Sequence, residues 1–124
     1  MYFSGKLAIL SYFSIRHQEF YTGHERPITC MAIHPDSKIC ATGEYGSAPL
    51  IHIWNIPYIE KFEGAENMKH EPVKPIVIIK LDKRFIQTVS MSFSRCGSWL
   101  IVIALNQSYG SEVNTFKNIL LMIF

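Results

Sequence analysis

Residues 28–34 alternate along an extended chain. Ile28, Cys30, Ala32 and His34 fall on one side, with Thr29, Met31 and Ile33 on the other. Both sides are largely apolar, the pattern of a strand covered on both faces. Pro35, Asp36 and Ser37 are turn formers. Residues 38–43 make the next strand, so the two pair as a hairpin. Gly46 and Pro49 place 44–49 in a loop. Residues 50–56 alternate again, Leu50, His52 and Trp54 opposite Ile51, Ile53 and Asn55, until Pro57 ends the strand. Farther on, Val89, Met91 and Phe93 alternate with Thr88, Ser90, Ser92 and Ser94. Arg95, Cys96 and Gly97 then stand where Pro35, Asp36 and Ser37 stood, and 98–105 is another apolar strand. Strand, turn, strand, loop, strand thus occurs twice, at a period of roughly 60 residues.

The flanks follow the same logic. Residues 2–15 read as two short strands about a turn at Gly5 and Lys6, and 19–22 as a further strand. Residues 60–74 are charged and contain Gly64, Asn67 and Pro72, the composition of a solvated excursion. The β-branched run 75–81 returns from it as an outer strand. Residues 106–115 make a loop, and 116–124 lie where a third strand belongs. No segment holds helical spacing for more than a turn or two, so the chain is all-β.

One stretch carries a recognisable motif. Gly23 and His24 open it and Trp54 and Asn55 close it, with Thr42 on the second strand between. This resembles a WD-repeat blade of a β-propeller. The resemblance implies a hydrogen-bonded set of His24, Thr42 and Trp54, because a buried indole N–H or imidazole without a partner costs about 1–3 kcal/mol. The set's usual fourth member is an aspartate in the loop after the second strand. Residues 44–49 contain none, only Ser47 and Ala48 near that place, so the polar network is expected to be incomplete or rewired. A blade takes roughly 40–45 residues and a closed ring needs at least about four. The 124 residues therefore imply a partial propeller of about two to three antiparallel blades, not closed. It is either a piece of a longer protein or a short product needing neighbours. The division expected is 1–19, a hydrophobic hairpin feeding the propeller; 20–83, a first WD-like blade; and 84–124, a second, incomplete or divergent blade.

More specifically, an aromatic-rich hairpin precedes Phe20, Tyr21, Gly23 and His24. Ala32 to Asp36, Ala41 to Gly43, Ile51 to Trp54 and Val89 to Ser94 follow in order. Over residues 2–105 this order resembles the echinoderm microtubule-associated protein-like family, in which a hydrophobic segment precedes the first repeat of a tandem propeller. The tail departs from the pattern, since 116–124 lack the second Trp expected there.

Composition narrows the chemistry. Hydrophobic residues make up 48% and charged residues 18%, which fits a folded core and not a disordered chain. A net charge of +2, with Lys80, Lys83 and Arg84 as the nearest approach to a cluster, gives no nucleic-acid footprint. Cys30, Cys40 and Cys96 form no CxxC pair and sit at no metal spacing from the five histidines. They read as reduced thiols, with Cys30 and Cys40 free to approach across their hairpin. The apolar run 7–13 lacks a cleavage site and is too short to span a bilayer. No Ser-His-Asp or Cys-His grouping and no phosphate loop is present. No catalytic residue, cofactor, metal, nucleic acid or membrane is therefore expected.

What remains is protein binding. The loops at 25–27, 44–48 and 106–115 would lie at blade ends, with Arg26, Glu44, Tyr45 and Tyr109 the candidate contacts. The resemblance implies a non-catalytic scaffold whose partners include tubulin or microtubules as well as other proteins, in the cytoplasmic cytoskeleton or the axoneme of cilia. The alternatives are a generic WD-repeat adaptor of a non-cytoskeletal complex and a truncated, unstable product.

Overall fold

The computed structural model describes residues 1–12, 16–57, 73–106 and 116–123, and within them ten strands follow in chain order. Strands β1 (Tyr2–Ser4), β2 (Leu7–Tyr12) and β3 (His17–Tyr21) form a first sheet. A second holds β4 (Ile28–Ile33), β5 (Ile39–Glu44), β6 (Leu50–Asn55) and β7 (Pro75–Lys80). The third holds β8 (Phe85–Phe93), β9 (Trp99–Asn106) and β10 (Phe116–Ile123). Chain neighbours are sheet neighbours and every pairing is antiparallel. The described residues include no helix, and none long and apolar enough to cross a membrane. The sheets do not close a ring, so the fold is an all-β, partial propeller.

The two repeated turns are superimposable in their bonding. The amide of Ser37 donates to the carbonyl of His34 and that of His34 to Ile39; the amide of Gly97 donates to Ser94 and that of Ser94 to Trp99. The equivalent positions are 60 apart (34 to 94, 37 to 97, 39 to 99). Ser37 and Gly97 both adopt left-handed φ, 60° and 74°. Gly97 carries this without a Cβ, and the ring of His34 occupies the space a Cβ there would need.

Two cores flank the middle sheet. On one face Cys30, Ala32, Ala41, Ile51 and Ile53 pack against Phe85, Met91, Leu100, Val102 and Ala104 of the third sheet. On the other, Cys40 and Trp54 pack against Ala8, Leu10 and Tyr21 of the first. A bulge between Ile28 and Cys30 turns Ile28 to this second face. Ile51, Ile53, Leu100 and Val102 are buried, and each such side chain contributes about 1.5–3 kcal/mol relative to exposure. Polar ties reinforce the apolar seam between the second and third sheets. Thr29 Oγ1 donates to the Thr88 carbonyl (2.5 Å) and Thr88 Oγ1 to that of Glu44 (3.2 Å).

Several local expectations are corrected. Ile33 is exposed, so β4 is covered on both faces only up to Met31. Strand β8 starts at Phe85 and not at Thr88, because register shifts at 85/87 and 88/90 break the alternation there. The second shift turns Thr88 inward while Val89 is half-buried. Cys30 and Cys40 do not approach as a pair: they are free thiols buried on opposite faces of the middle sheet, one in each core. The excursion at 60–74, except for its last two residues, lies outside the described residues, as does most of the loop at 106–115.

Candidate interaction site at the end of the middle sheet

Four segments bring polar groups to one buried point. Strand β3 supplies Tyr21, the following loop His24, β5 supplies Thr42 and Glu44, and β6 supplies His52 and Trp54. All six are nearly or completely buried. Thr42 and Glu44 share one face of β5 at a spacing of two, as do His52 and Trp54 on β6. Thr42 is the register partner of His52.

The hydrogen bonds run as a chain. Trp54 Nε1–H donates to Thr42 Oγ1 (3.2 Å) and Thr42 Oγ1 lies 2.6 Å from His24 Nε2. The Glu44 carboxylate beside Nδ1 can only accept, which puts the imidazole proton on Nδ1 and leaves Nε2 to accept from the Thr42 hydroxyl. That Nδ1–H donates to Glu44 Oε2 (3.1 Å), while Glu44 Oε1 accepts the amide of Leu50 (3.0 Å). The resemblance implied an aspartate in the loop at 44–49, which holds none. Glu44 does that work from the end of the strand, its extra methylene making up the distance. Glu44 is thus no exposed loop contact: it is 2% exposed and ends β5.

A second layer sits on the first. The Tyr21 ring stacks on Trp54 at 4.4 Å and 10°, and Tyr21 Oη lies 2.7 Å from His52 Nδ1. His24 and His52 stack at 3.9 Å and 20°. Tyr21 and His52 were legible only as strand residues, because nothing in a period-two pattern says which buried positions meet across sheets. Burial pushes the Tyr21 hydroxyl well above its ordinary pKa, with Cys40 adding to the effect. Burial lowers that of His24, opposed by its hydrogen bond to Glu44 and that carboxylate's charge. His52 is lowered to about 4 by burial and then by the neighbouring His24, against the pull of Glu44. Both imidazoles are neutral at pH 7.

His24, Glu44 and His52 offer donor atoms within 4.8 Å of one another. Their geometry does not suit a metal ion. Both nitrogens of His24 are already bonded, and an ion between two nearly parallel stacked rings lies in the plane of neither, where the lone pairs point.

The exposed candidates lie around this point. Arg26 is exposed and its Nη1 donates to the Ser47 carbonyl (2.8 Å). Tyr45 is 53% exposed, its backbone held by the Pro27 carbonyl and by a bridge to Gln87 of the third sheet. Tyr109 lies outside the described residues. At the opposite end His34 ties the second sheet to the third, Nε2–H donating to the Gly97 carbonyl (3.0 Å) and the ring meeting Phe93 edge-on.

Comparison with known proteins gives these residues two likenesses. The model of the WD domain, G-beta repeat, matches residues 15–55, the segment that holds all six residues of the buried network. The chain is also 33% identical over 61 residues to the 77 kDa echinoderm microtubule-associated protein of Strongylocentrotus purpuratus, a match covering 44% of this chain. It spans only 9% of that protein. The chain carries a WD repeat, set in an open arc of antiparallel blades, and resembles the echinoderm microtubule-associated protein-like WD-repeat family.

Proposed function

We propose that the chain is a non-catalytic interaction scaffold that associates with microtubules. The observation that carries this is the similarity to a protein named for that association, beside the WD-repeat match at residues 15–55. The polar chemistry of the buried set supports a structural role: apart from His52 Nε2 its groups bond one another or the backbone, and they present no activated nucleophile. Hydrogen bonds that hold a blade end in one shape keep the loops beside it ready to meet a partner. On this reading His24, Thr42 and Trp54 hold the blade, while Arg26, Tyr45 and Tyr109 contact partners. The parts 1–19, 20–83 and 84–124 act as feeding hairpin, WD-like blade and second blade, in the cytoplasmic cytoskeleton or an axoneme.

Co-pelleting with taxol-stabilised microtubules tests it. Recovery of the protein in the pellet, saturating with tubulin, is expected. A protein that stays in the supernatant beside a pelleting control overturns the microtubule partner. That outcome favours a WD-repeat adaptor of another complex, since the repeat itself specifies no partner.

A further inference from the structure

A recess of about 240 Å³ opens beside the buried network. Glu25, Arg26, Glu44 and His52 give it polar walls, while Leu50 and Ile78 give it apolar ones. A carboxylate without a counter-charge and an imidazole nitrogen without a partner share it. Glu44 is a buried carboxylate whose bonding partners are a backbone amide and a neutral imidazole, with no Lys or Arg among the described residues paired to it. Buried charges are normally matched by an opposite charge. His52 Nε2 is buried and has no hydrogen-bond partner among the described residues, although buried polar atoms are seldom left so. Arg26, the cation at the rim, directs its guanidinium to the Ser47 carbonyl. Two carboxylates against one guanidinium leave a formal charge of −1.

We propose that this recess receives the ammonium group of a lysine side chain presented by a partner protein. An ammonium has three donors, and the recess offers three acceptors. These are the Glu25 carboxylate, the free lone pairs of Glu44, and His52 Nε2 when the ring proton sits on Nδ1 and is donated to Tyr21 Oη. Leu50 and Ile78 suit the methylene stem, which long charged side chains lay along apolar surface. The proposal rests on the interaction-scaffold reading and names the chemistry of one contact within it.

The test is an NMR titration of the whole chain with Nα-acetyl-lysine methylamide, with Nε-acetylated and norleucine analogues as controls. Saturable shifts at the His52 ring and the Leu50 amide are expected, at a dissociation constant on the order of 1 mM for so small a ligand. Glu25→Gln, an exposed change, should weaken binding about fivefold or more. Arg26→Gln, which removes the competing cation, should strengthen it. Equal shifts with the acetylated analogue, an unchanged affinity in Glu25→Gln, or weaker binding in Arg26→Gln would each overturn the proposal. Probe binding in a protein that fails to pellet with microtubules removes that partner and keeps the lysine site. Pelleting without probe binding does the reverse.

Discussion

Thr42→Val probes the buried network with almost no change of shape. The hydroxyl it removes accepts from Trp54 Nε1–H at 3.2 Å and bonds His24 Nε2 at 2.6 Å. Both partners are buried, Trp54 at 0% and His24 at 4% exposure, so water does not replace what is lost. Leaving a buried polar group unpaired costs about 1–3 kcal/mol. Two such groups therefore put the loss at about 2–6 kcal/mol, a large share of the roughly 5–15 kcal/mol that holds a domain folded. With a urea slope of about 2 kcal/mol/M, the midpoint should fall by on the order of 1–3 M. Urea titration followed by tryptophan fluorescence and far-ultraviolet circular dichroism measures it. Thr42→Ser is the control: it keeps the hydroxyl and loses one methyl, a cost of about 1 kcal/mol. If Val costs no more than Ser, the hydroxyl does not organise the site and the network described above is wrong.

Three further outcomes follow from the same structure. His52 and His24 are held below the ordinary histidine pKa, His52 at about 4, so between pH 6.5 and 4 the unfolded chain binds more protons than the folded one. Stability should therefore fall as pH drops through that window, and His52→Phe should flatten the dependence of the urea midpoint on pH; an equal slope in the variant refutes the assignment. Gly97→Ala introduces a Cβ at φ 74° into space held by the His34 ring, at a cost of about 1–2 kcal/mol for the backbone alone, while the same change at Gly5, whose Cβ direction is open, should cost only the backbone strain. Thermal melting of the two variants compares them. Cys96 is exposed and its thiol is lowered to about 7 by hydrogen bonds from Ser94 and Ser98. It should be alkylated by iodoacetamide with a midpoint near pH 7, while buried Cys30 and Cys40, whose thiols are pushed up by burial, should stay unmodified until the chain unfolds; labelling followed by peptide mass spectrometry decides.

The backbone plan was legible wherever alternation and turn chemistry agreed. The hairpin β4–β5, the strand ending at Trp54 and the matching turns 60 residues apart are local features, written in residues that touch their chain neighbours. Legibility failed where the local signal was broken. The register shifts in β8 hid its first three residues and turned Thr88 inward, since a bulge moves a side chain to the other face without changing composition. Cys30 and Cys40 looked like hairpin neighbours but sit in separate cores, because the register pairs Cys30 with Gly43 and Cys40 with Ile33.

The site divides in the same way. His24, Thr42 and Trp54 could be named because the chain resembles a WD-repeat blade, and that resemblance implies the set. Glu44 was misread as a loop contact: at a strand end, one residue decides between solvent and core, and composition does not say which. By itself the chain determined its strands, its turns and the polar set that a buried indole requires. The tertiary structure alone decided that Tyr21 of one sheet stacks on Trp54 of the next, that His52 faces His24, and that Glu44 lies beside both without a counter-charge. The physical reason is that a strand's pattern specifies which face is buried, whereas the partner on that face is chosen by how whole sheets pack together.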